Sequence, residues 1–209
     1  MYLISCLLPD HGAPRFAAQA RRSFLLLGLA MMCFLFLTAQ SASAAVRSGT
    51  KAQSLWVQLG QSQWIAQGKG ARILYVIFDP NCPYCHVLID QLQPLIPELG
   101  LQVRYLVVGY LIPVSSAGKA AYILQAKDPL AALLRNEKEF NMQHFGGVPA
   151  IAPDARTRTL LRQHMDLLIA TGKKMIPTEI YKDRRGRVQI HHGTFDAFAL
   201  DSVLQSIAK

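Results

Sequence analysis

The sequence predicts an α/β fold in which a helical block interrupts the sheet. Three observations predict it. Two short β-rich apolar runs, Arg72 to Phe78 and Gln102 to Val108, flank a helical stretch that opens at Cys82. Between residues 115 and 172 apolar residues recur mostly at helical spacing. The chain then closes with Pro177, a strand, a turn, a second strand and a helix.

The elements follow in order. Residues 45–51 are small and polar and predict a flexible start. Leu55, Trp56, Leu59 and Trp64 fall at roughly helical spacing, which predicts an amphipathic helix over 52–67, stopped by Gly68-Lys69-Gly70. Arg72 to Phe78 (RILYVIF) reads as a buried strand, and Asp79-Pro80-Asn81 as a turn. The helix after Cys82 is expected to reach about Leu92, with Pro94 and Pro97 kinking or ending it. Gln102 to Val108 is a second buried strand. Helices are expected over 115–126, 129–140 and 153–170, with Gly146-Gly147-Val148-Pro149 as a loop. Thr178 to Lys182 and Arg187 to His191 read as strands around a turn at 183–186, and 195–208 as the closing helix. This order is that of a thioredoxin fold with helices inserted between the second strand and the strand after Pro177. The expected domains are a leader at 1–44, a linker helix at 45–70, and a catalytic domain at 71–209 with its insertion at about 115–172.

The leader rests on Phe24 to Leu37, an uncharged apolar run preceded by Arg21 and Arg22 and followed by Ala42-Ser43-Ala44. Charged, apolar and small-residue segments in that order predict a cleaved secretory signal. The run is short for a membrane span of about 20 residues, so an uncleaved anchor is the second reading. Arg21-Arg22-Ser23-Phe24-Leu25 also resembles a twin-arginine signal, with an ordinary signal preferred because its polar side is incomplete. The chain has 209 residues, 51% of them hydrophobic, and a formal net charge of +9. The positive charge is scattered, and its densest run, Lys182-Asp183-Arg184-Arg185-Gly186-Arg187, reads as a solvated turn. No nucleic-acid partner is therefore expected.

Export changes the meaning of the cysteines. Cys6 and Cys33 lie in the leader, which leaves Cys82 and Cys85 as the pair in the mature chain. A disulfide closing so small a loop removes little unfolded-state entropy, so Cys82-Pro83-Tyr84-Cys85 reads as reactive rather than structural. At a helix N-terminus the unpaired N–H groups and the helix dipole stabilise a thiolate. Cys82 is expected to be exposed and to act as the nucleophile. Cys85, one turn in and more buried, is expected to resolve the mixed disulfide. Pro83 and Tyr84 between them tune the thiolate. His86 completes the pattern C-x-x-C-H, which also occurs where haem c is attached; Met165 and Met175 are then candidate distal ligands. The preceding buried strand and the Pro177 unit favour the redox reading, in which no cofactor and no metal is needed. Pro177 is expected to be the cis-proline facing the pair, with Ile176 offering backbone to an extended client. Val148-Pro149 is the rival position.

These residues carry a resemblance. Asp79-Pro80-Asn81-Cys82-Pro83-Tyr84-Cys85, Arg104-Tyr105-Leu106-Val107-Val108-Gly109 and Ala120 to Pro129 (AAYILQAKDP) resemble the bacterial periplasmic disulfide isomerases DsbC and DsbG, DsbG more than DsbC. Gln61 to Ile65 ahead of Gly68-Lys69 resembles the helix leading into that family's catalytic domain, and Met175-Ile176-Pro177 sits at its cis-proline. The resemblance spans about residues 52–208. It implies a periplasmic enzyme that reduces or isomerises wrong disulfides or reduces oxidised cysteines. Its partners are cysteine-containing exported clients and a membrane electron donor of the DsbD type. Carried over, Cys82 is the nucleophile, Cys85 the resolving thiol and Pro177 the cis-proline. An oxidase of the same fold is the alternative, and a c-type haem protein is the alternative of another class.

Three departures matter. The family carries an N-terminal dimerisation domain, whereas only residues 45–51 separate the expected cleavage site from the first helix. A monomer is therefore expected, with self-association through Leu55, Trp56 and Leu59 if that helix is exposed. Ile176 stands where the family usually has threonine. Thioredoxins carry a buried carboxylate six residues before the first cysteine; that residue is Val76 here, so Asp79 or water would have to move the proton. DsbC and DsbG-like proteins lack that carboxylate too, so this separates the chain from thioredoxin only.

Overall fold

The computed structural model describes residues 51–209. The expected leader, its arginines, Cys6 and Cys33 lie outside the described residues. Ten elements follow in chain order after the first helix, α1, which is helical over residues 51–61. They are β1 (Ile65–Gln67), β2 (Arg72–Phe78), α2 (Pro83–Leu99), β3 (Leu101–Val107), α3 (Ser116–Gln125), α4 (Pro129–Lys138), α5 (Ala155–Ala170), β4 (Thr178–Lys182), β5 (Val188–His192) and α6 (Ala197–Ser206).

The five strands form one sheet in the order β1-β3-β2-β4-β5. Strand β2 runs parallel to β3 and antiparallel to β4. The parallel pair requires a crossover, which α2 supplies. Because β2 is central, both of its faces are covered, and its run is apolar throughout rather than alternating. Leu74, Val76 and Phe78 pack on one side with Leu88, Ile89, Leu92 and Ile96 of α2 and Leu200 and Leu204 of α6. Tyr75 and Ile77 pack on the other with Leu55 and Leu59 of α1 and Leu167 and Leu168 of α5. His164 of α5 clamps that second layer, its Nδ1 lying 2.8 Å from the Val107 carbonyl and its Nε2 2.7 Å from that of Gln63. Aspartates 128, 154 and 196 cap α4, α5 and α6, each side chain accepting the backbone N–H three residues on.

Three expectations change. The first helix ends at 61 instead of 67, and Ile65–Gln67 pairs antiparallel with β3. Trp64 faces the α1–α5 layer and Ile65 the α2 layer. That alternation is a strand period, and pairing there satisfies edge groups of β3 that a helix would leave open. Helix α2 runs past Leu92 to Leu99 with both prolines inside it. A proline inside a helix costs about 3 kcal/mol, but burying Leu92 and Ile96 returns roughly 1.5–3 kcal/mol each. Both prolines also lie on the exposed face of the helix. The helix stops at Gly100, whose φ of 62° is the left-handed conformation glycine adopts without strain. Finally, Leu55 and Leu59 are 2% and 0% exposed, so they belong to this chain's own core and offer no surface for self-association.

Candidate active site

Strand β2 delivers the cysteine pair. After Phe78 the chain turns through Asp79-Pro80-Asn81, and the Cys82 N–H donates to the Asp79 carbonyl at 3.0 Å. Cys82 is the N-cap of α2, with extended backbone, and Pro83 occupies the first turn, where its missing N–H leaves no gap. The Cys82 Sγ takes the place of a capping oxygen: the Cys85 backbone N–H donates to it at 3.2 Å. Both cysteines are free thiols.

The two sulfurs are polarised in opposite directions. Hydrogen bonding from the Cys85 side chain, helped by the backbone N–H groups of Cys85 and Tyr84, holds the Cys82 thiol below the usual range against the effect of burial. Burial pushes the Cys85 thiol well above it, and the neighbouring Cys82 adds to that. Cys82 is not exposed as expected; it is 4% exposed. It belongs to the core cluster that Cys85 shares, and Ile176 packs against that cluster. The exposed group of the motif is Tyr84, at 66%.

The Ile176–Pro177 peptide bond is cis, and it is the cis bond found among the described residues. Pro177 leads directly into β4, whose Thr178 pairs with Ile77 near the end of β2. The register thus brings Pro177 and the turn before Cys82 to the same end of the sheet. The loop is held by the Thr178 hydroxyl, which donates to the Met175 carbonyl at 2.6 Å, and by the Gly193 N–H, which donates to the Pro177 carbonyl at 2.8 Å.

A buried polar network supports the turn, and sequence reading had not assembled it. Asp79 is 1% exposed. Its Oδ1 accepts from the Asn81 N–H at 3.0 Å and the Ser116 hydroxyl at 2.7 Å; its Oδ2 accepts from the Tyr110 and Leu111 N–H groups at 2.8 and 3.0 Å. With four donors in place, Asp79 is a fixed anchor of the turn. Lys119 of α3 donates to Asn81 Oδ1 at 2.9 Å and to the carbonyls of His144 and Gly146 at 2.7 and 2.6 Å. The signal for it was a single basic residue in an otherwise apolar turn of helix, Gly118-Lys119-Ala120-Ala121. Lys119→Met leaves three acceptors without their donor and is expected to cost about 3 kcal/mol. Urea unfolding measures it, and a loss below about 1 kcal/mol would mean that water replaces the ammonium.

Tyr110 is a further neighbour that sequence reading missed. Burial, then the charges of Asp79, Cys85 and Cys82, push its hydroxyl up to about 12. Lys174 stands over its ring at 4.5 Å.

His86 is committed elsewhere. Its Nδ1 lies 3.1 Å from Glu137 Oε2 on α4, and its ring stacks on Phe140 with centroids 4.5 Å apart. Attaching a haem to both cysteines requires two accessible sulfurs and a free imidazole face. Cys85 is 1% exposed and the ring is stacked, so these residues do not fit a haem. Among the described residues, no group of three or more His, Cys, Asp or Glu side chains is placed to hold a metal ion.

Comparison with known proteins follows the same lines. The family described as "Thioredoxin-like domain" matches residues 59–208. The thiol:disulfide interchange protein DsbG of Pseudomonas aeruginosa is 33% identical over 147 residues, which are 68% of this chain and 55% of that protein. DsbG of Escherichia coli is 29% identical over 154 residues, 73% of this chain and 61% of that protein. The matched part thus spans less than two thirds of either relative. A periplasmic thioredoxin-like protein from Salmonella enterica serovar Typhimurium superposes with a TM-score of 0.55 at 19% identity, over 68% of this chain and 88% of that one; this likeness concerns the fold alone. By its sheet order, its helix-capping cysteine pair and the match over 59–208, the chain belongs to the thioredoxin-like family.

Proposed function

We propose that this protein is an exported thiol–disulfide oxidoreductase that reduces or isomerises disulfides of periplasmic proteins through Cys82 and Cys85. The observation that carries the reading is the placement of Cys82 as the N-cap of α2, its Sγ accepting the Cys85 N–H at 3.2 Å, with Cys85 buried one turn behind it. Cys82 attacks a client disulfide as the thiolate; the new bond joins Cys82 Sγ to one client sulfur, and the other leaves as a thiolate that takes a proton from water. Cys85 then attacks Cys82 Sγ, closes the internal disulfide and releases the client sulfur. Two electrons have passed to the client. Pro83 leaves the Cys82 cap free of competing donors, and Tyr84 presents an aromatic surface beside it. The backbone at Ile176 and Pro177 receives an extended client. The clients are cysteine-containing exported proteins, and a membrane donor of the DsbD type restores the dithiol. The similarity to DsbG supports a periplasmic site of action. No helix among the described residues is long and apolar enough to cross a membrane.

Thiol trapping in cells tests the direction. A pair recovered mostly reduced supports the reductase or isomerase; a pair recovered mostly oxidised supports a disulfide donor, the second reading, which the stabilised Cys82 thiolate also favours. A separate result is expected from alkylation of the reduced protein. Cys82 should react with a half-maximal pH below the ~8.5 of a free thiol, while Cys85 stays unmodified until the protein is unfolded. Equal labelling of both in the folded protein would contradict the assigned roles.

A further inference from the structure

Closing the disulfide requires Cys85 to lose a proton in a place that water does not reach. Its thiol is 1% exposed and is pushed well above its usual range by burial. Asp79, the carboxylate beside it, already accepts four hydrogen bonds. Glu137 of α4, also buried, is engaged by His86 and Asn136. One more carboxyl group lies in the same layer. Glu179, the second residue of β4, is 1% exposed, and neither of its oxygens has a hydrogen-bond partner. An unpaired carboxylate in such a place is strongly disfavoured, so a residue with only a packing role here would be apolar.

The register places Glu179. It stands opposite Val76 on β2 and opposite His191 on β5. Directly opposed residues share a sheet face, and side chains alternate along a strand. Glu179 therefore faces the α2 layer with Val76 and Tyr181, both members of the cluster that holds Cys82 and Cys85. Its neighbour Ile180 points into the opposite layer. His191 lies on the same face, its ring stacked on Phe195 with centroids 3.6 Å apart, and its Nε2 is also buried without a partner. Across the ladder, opposed side chains start only about 5 Å apart. Three unpartnered polar atoms thus sit on two adjacent strands, in the layer that holds the cysteine pair. The titratable groups on this sheet face are Tyr105 from β3, Tyr181 from β4 and His191 from β5, and Cys82 and Cys85 of α2 belong to the cluster that covers it; α6 contributes Leu200, Val203 and Leu204.

We propose that Glu179 is the proton-transfer group of the cysteine pair, with His191 as its link to solvent. The proposal rests on the exchange reaction proposed above. In the release step the Cys85 thiol proton passes to one oxygen of Glu179 while the proton on the other oxygen passes to His191 Nε2. The Cys85 sulfur lone pair forms the bond to Cys82 Sγ, the bond from Cys82 to the client sulfur breaks, and the client leaves as a thiolate. The client thiolate takes a proton from water, and His191 returns its proton to water. Reopening of the disulfide by a reducing thiol runs the same path backwards. Burial pushes the Glu179 carboxyl up to about 9, so it holds a proton at neutral pH and can pass one on. The role fills the position left empty by Val76, but from the neighbouring strand.

The test is made on the full chain, with Glu179→Gln, Glu179→Leu and His191→Phe. Two rates are read separately against pH: alkylation of Cys82 in the reduced protein, and closure of the internal disulfide from a mixed disulfide preformed between Cys82 and a small aromatic thiol. Closure at pH 7 is expected to fall roughly 10²-fold in both Glu179 variants, the lower range for a lost acid–base group, and by less in His191→Phe. Its pH profile loses the inflection near 9, while Cys82 alkylation stays within about twofold. Circular dichroism and urea unfolding establish that each variant is folded. Folded Glu179 variants that close at the wild-type rate with an unchanged pH profile would overturn the proposal and leave the exchange reading standing. A wild-type protein that never closes the disulfide would sink both.

Discussion

Cys82→Ser is expected to abolish reduction of a scrambled-disulfide substrate, a loss on the order of 10³-fold or more, as when any covalent nucleophile is removed. The reason is geometric as well as chemical. Cys82 is the sulfur that the α2 N-terminus stabilises, through the Cys85 N–H at 3.2 Å and the backbone of the first turn. Cys85 cannot substitute, because burial holds it in the thiol form. A hydroxyl in place of the Cys82 sulfur still caps the helix, so the variant should remain folded. Cys85→Ser gives a different failure. Attack on the client still occurs, but release does not, and a client–Cys82 mixed disulfide accumulates on a non-reducing gel. Full activity in Cys82→Ser, or no trapped species with Cys85→Ser, would defeat the assignment of roles.

Asp79→Ala is expected to be the most destabilising single change near the site, by about 3–5 kcal/mol, the range for breaking a buried charged partner. One carboxylate satisfies the N–H groups of Asn81, Tyr110 and Leu111 and the hydroxyl of Ser116. It thereby joins the turn before Cys82 to the loop after β3 and to the start of α3. Alanine leaves three backbone donors unpaired, each costing about 1–3 kcal/mol where it is buried. Asp79→Asn retains one acceptor oxygen and should lose roughly half as much. The urea midpoint reads the difference, and a loss below about 1 kcal/mol for alanine would show that the network is not needed. Removing the Asp79 charge also relieves its repulsion of the Cys82 thiolate, so alkylation of Cys82 in the folded fraction should move to lower pH.

Much of the fold was legible because its signals are local. Arg72 to Phe78 is a central strand and reads as one, because a strand covered on both faces is apolar at every position. The turn at 183–186 likewise depends on residues only a few positions apart. The pairing of β1 with β3 was not legible. Ile65–Gln67 is too short to show a period, and its partner lies at residues 103–105. The extent of α2 was misjudged for a related reason: the breaking effect of Pro94 and Pro97 is local, whereas the burial of Leu92 and Ile96 that helps offset it comes from the sheet.

The site divides in the same way. Residue type and spacing alone place Cys82 at a helix start with Cys85 one turn behind it, because an N-cap and its first turn are set by a few consecutive residues. The order of strand, turn, strand and helix after Pro177 likewise marks that proline. Beyond the first turn's own N–H groups, what gives the pair its chemical environment comes from elsewhere in the chain. The burial of Cys82 under a core to which Ile176 contributes, the four donors on Asp79, the Lys119 ammonium on Asn81 and the carboxyl of Glu179 opposite Val76 all arise from contacts between distant segments. Desolvation and hydrogen bonding decide thiol reactivity, and both depend on what surrounds a group in space. The sequence by itself therefore determined which sulfurs stand at a helix start and which of them is expected to attack, and only the tertiary structure decided how deeply each is buried and which polar groups surround them.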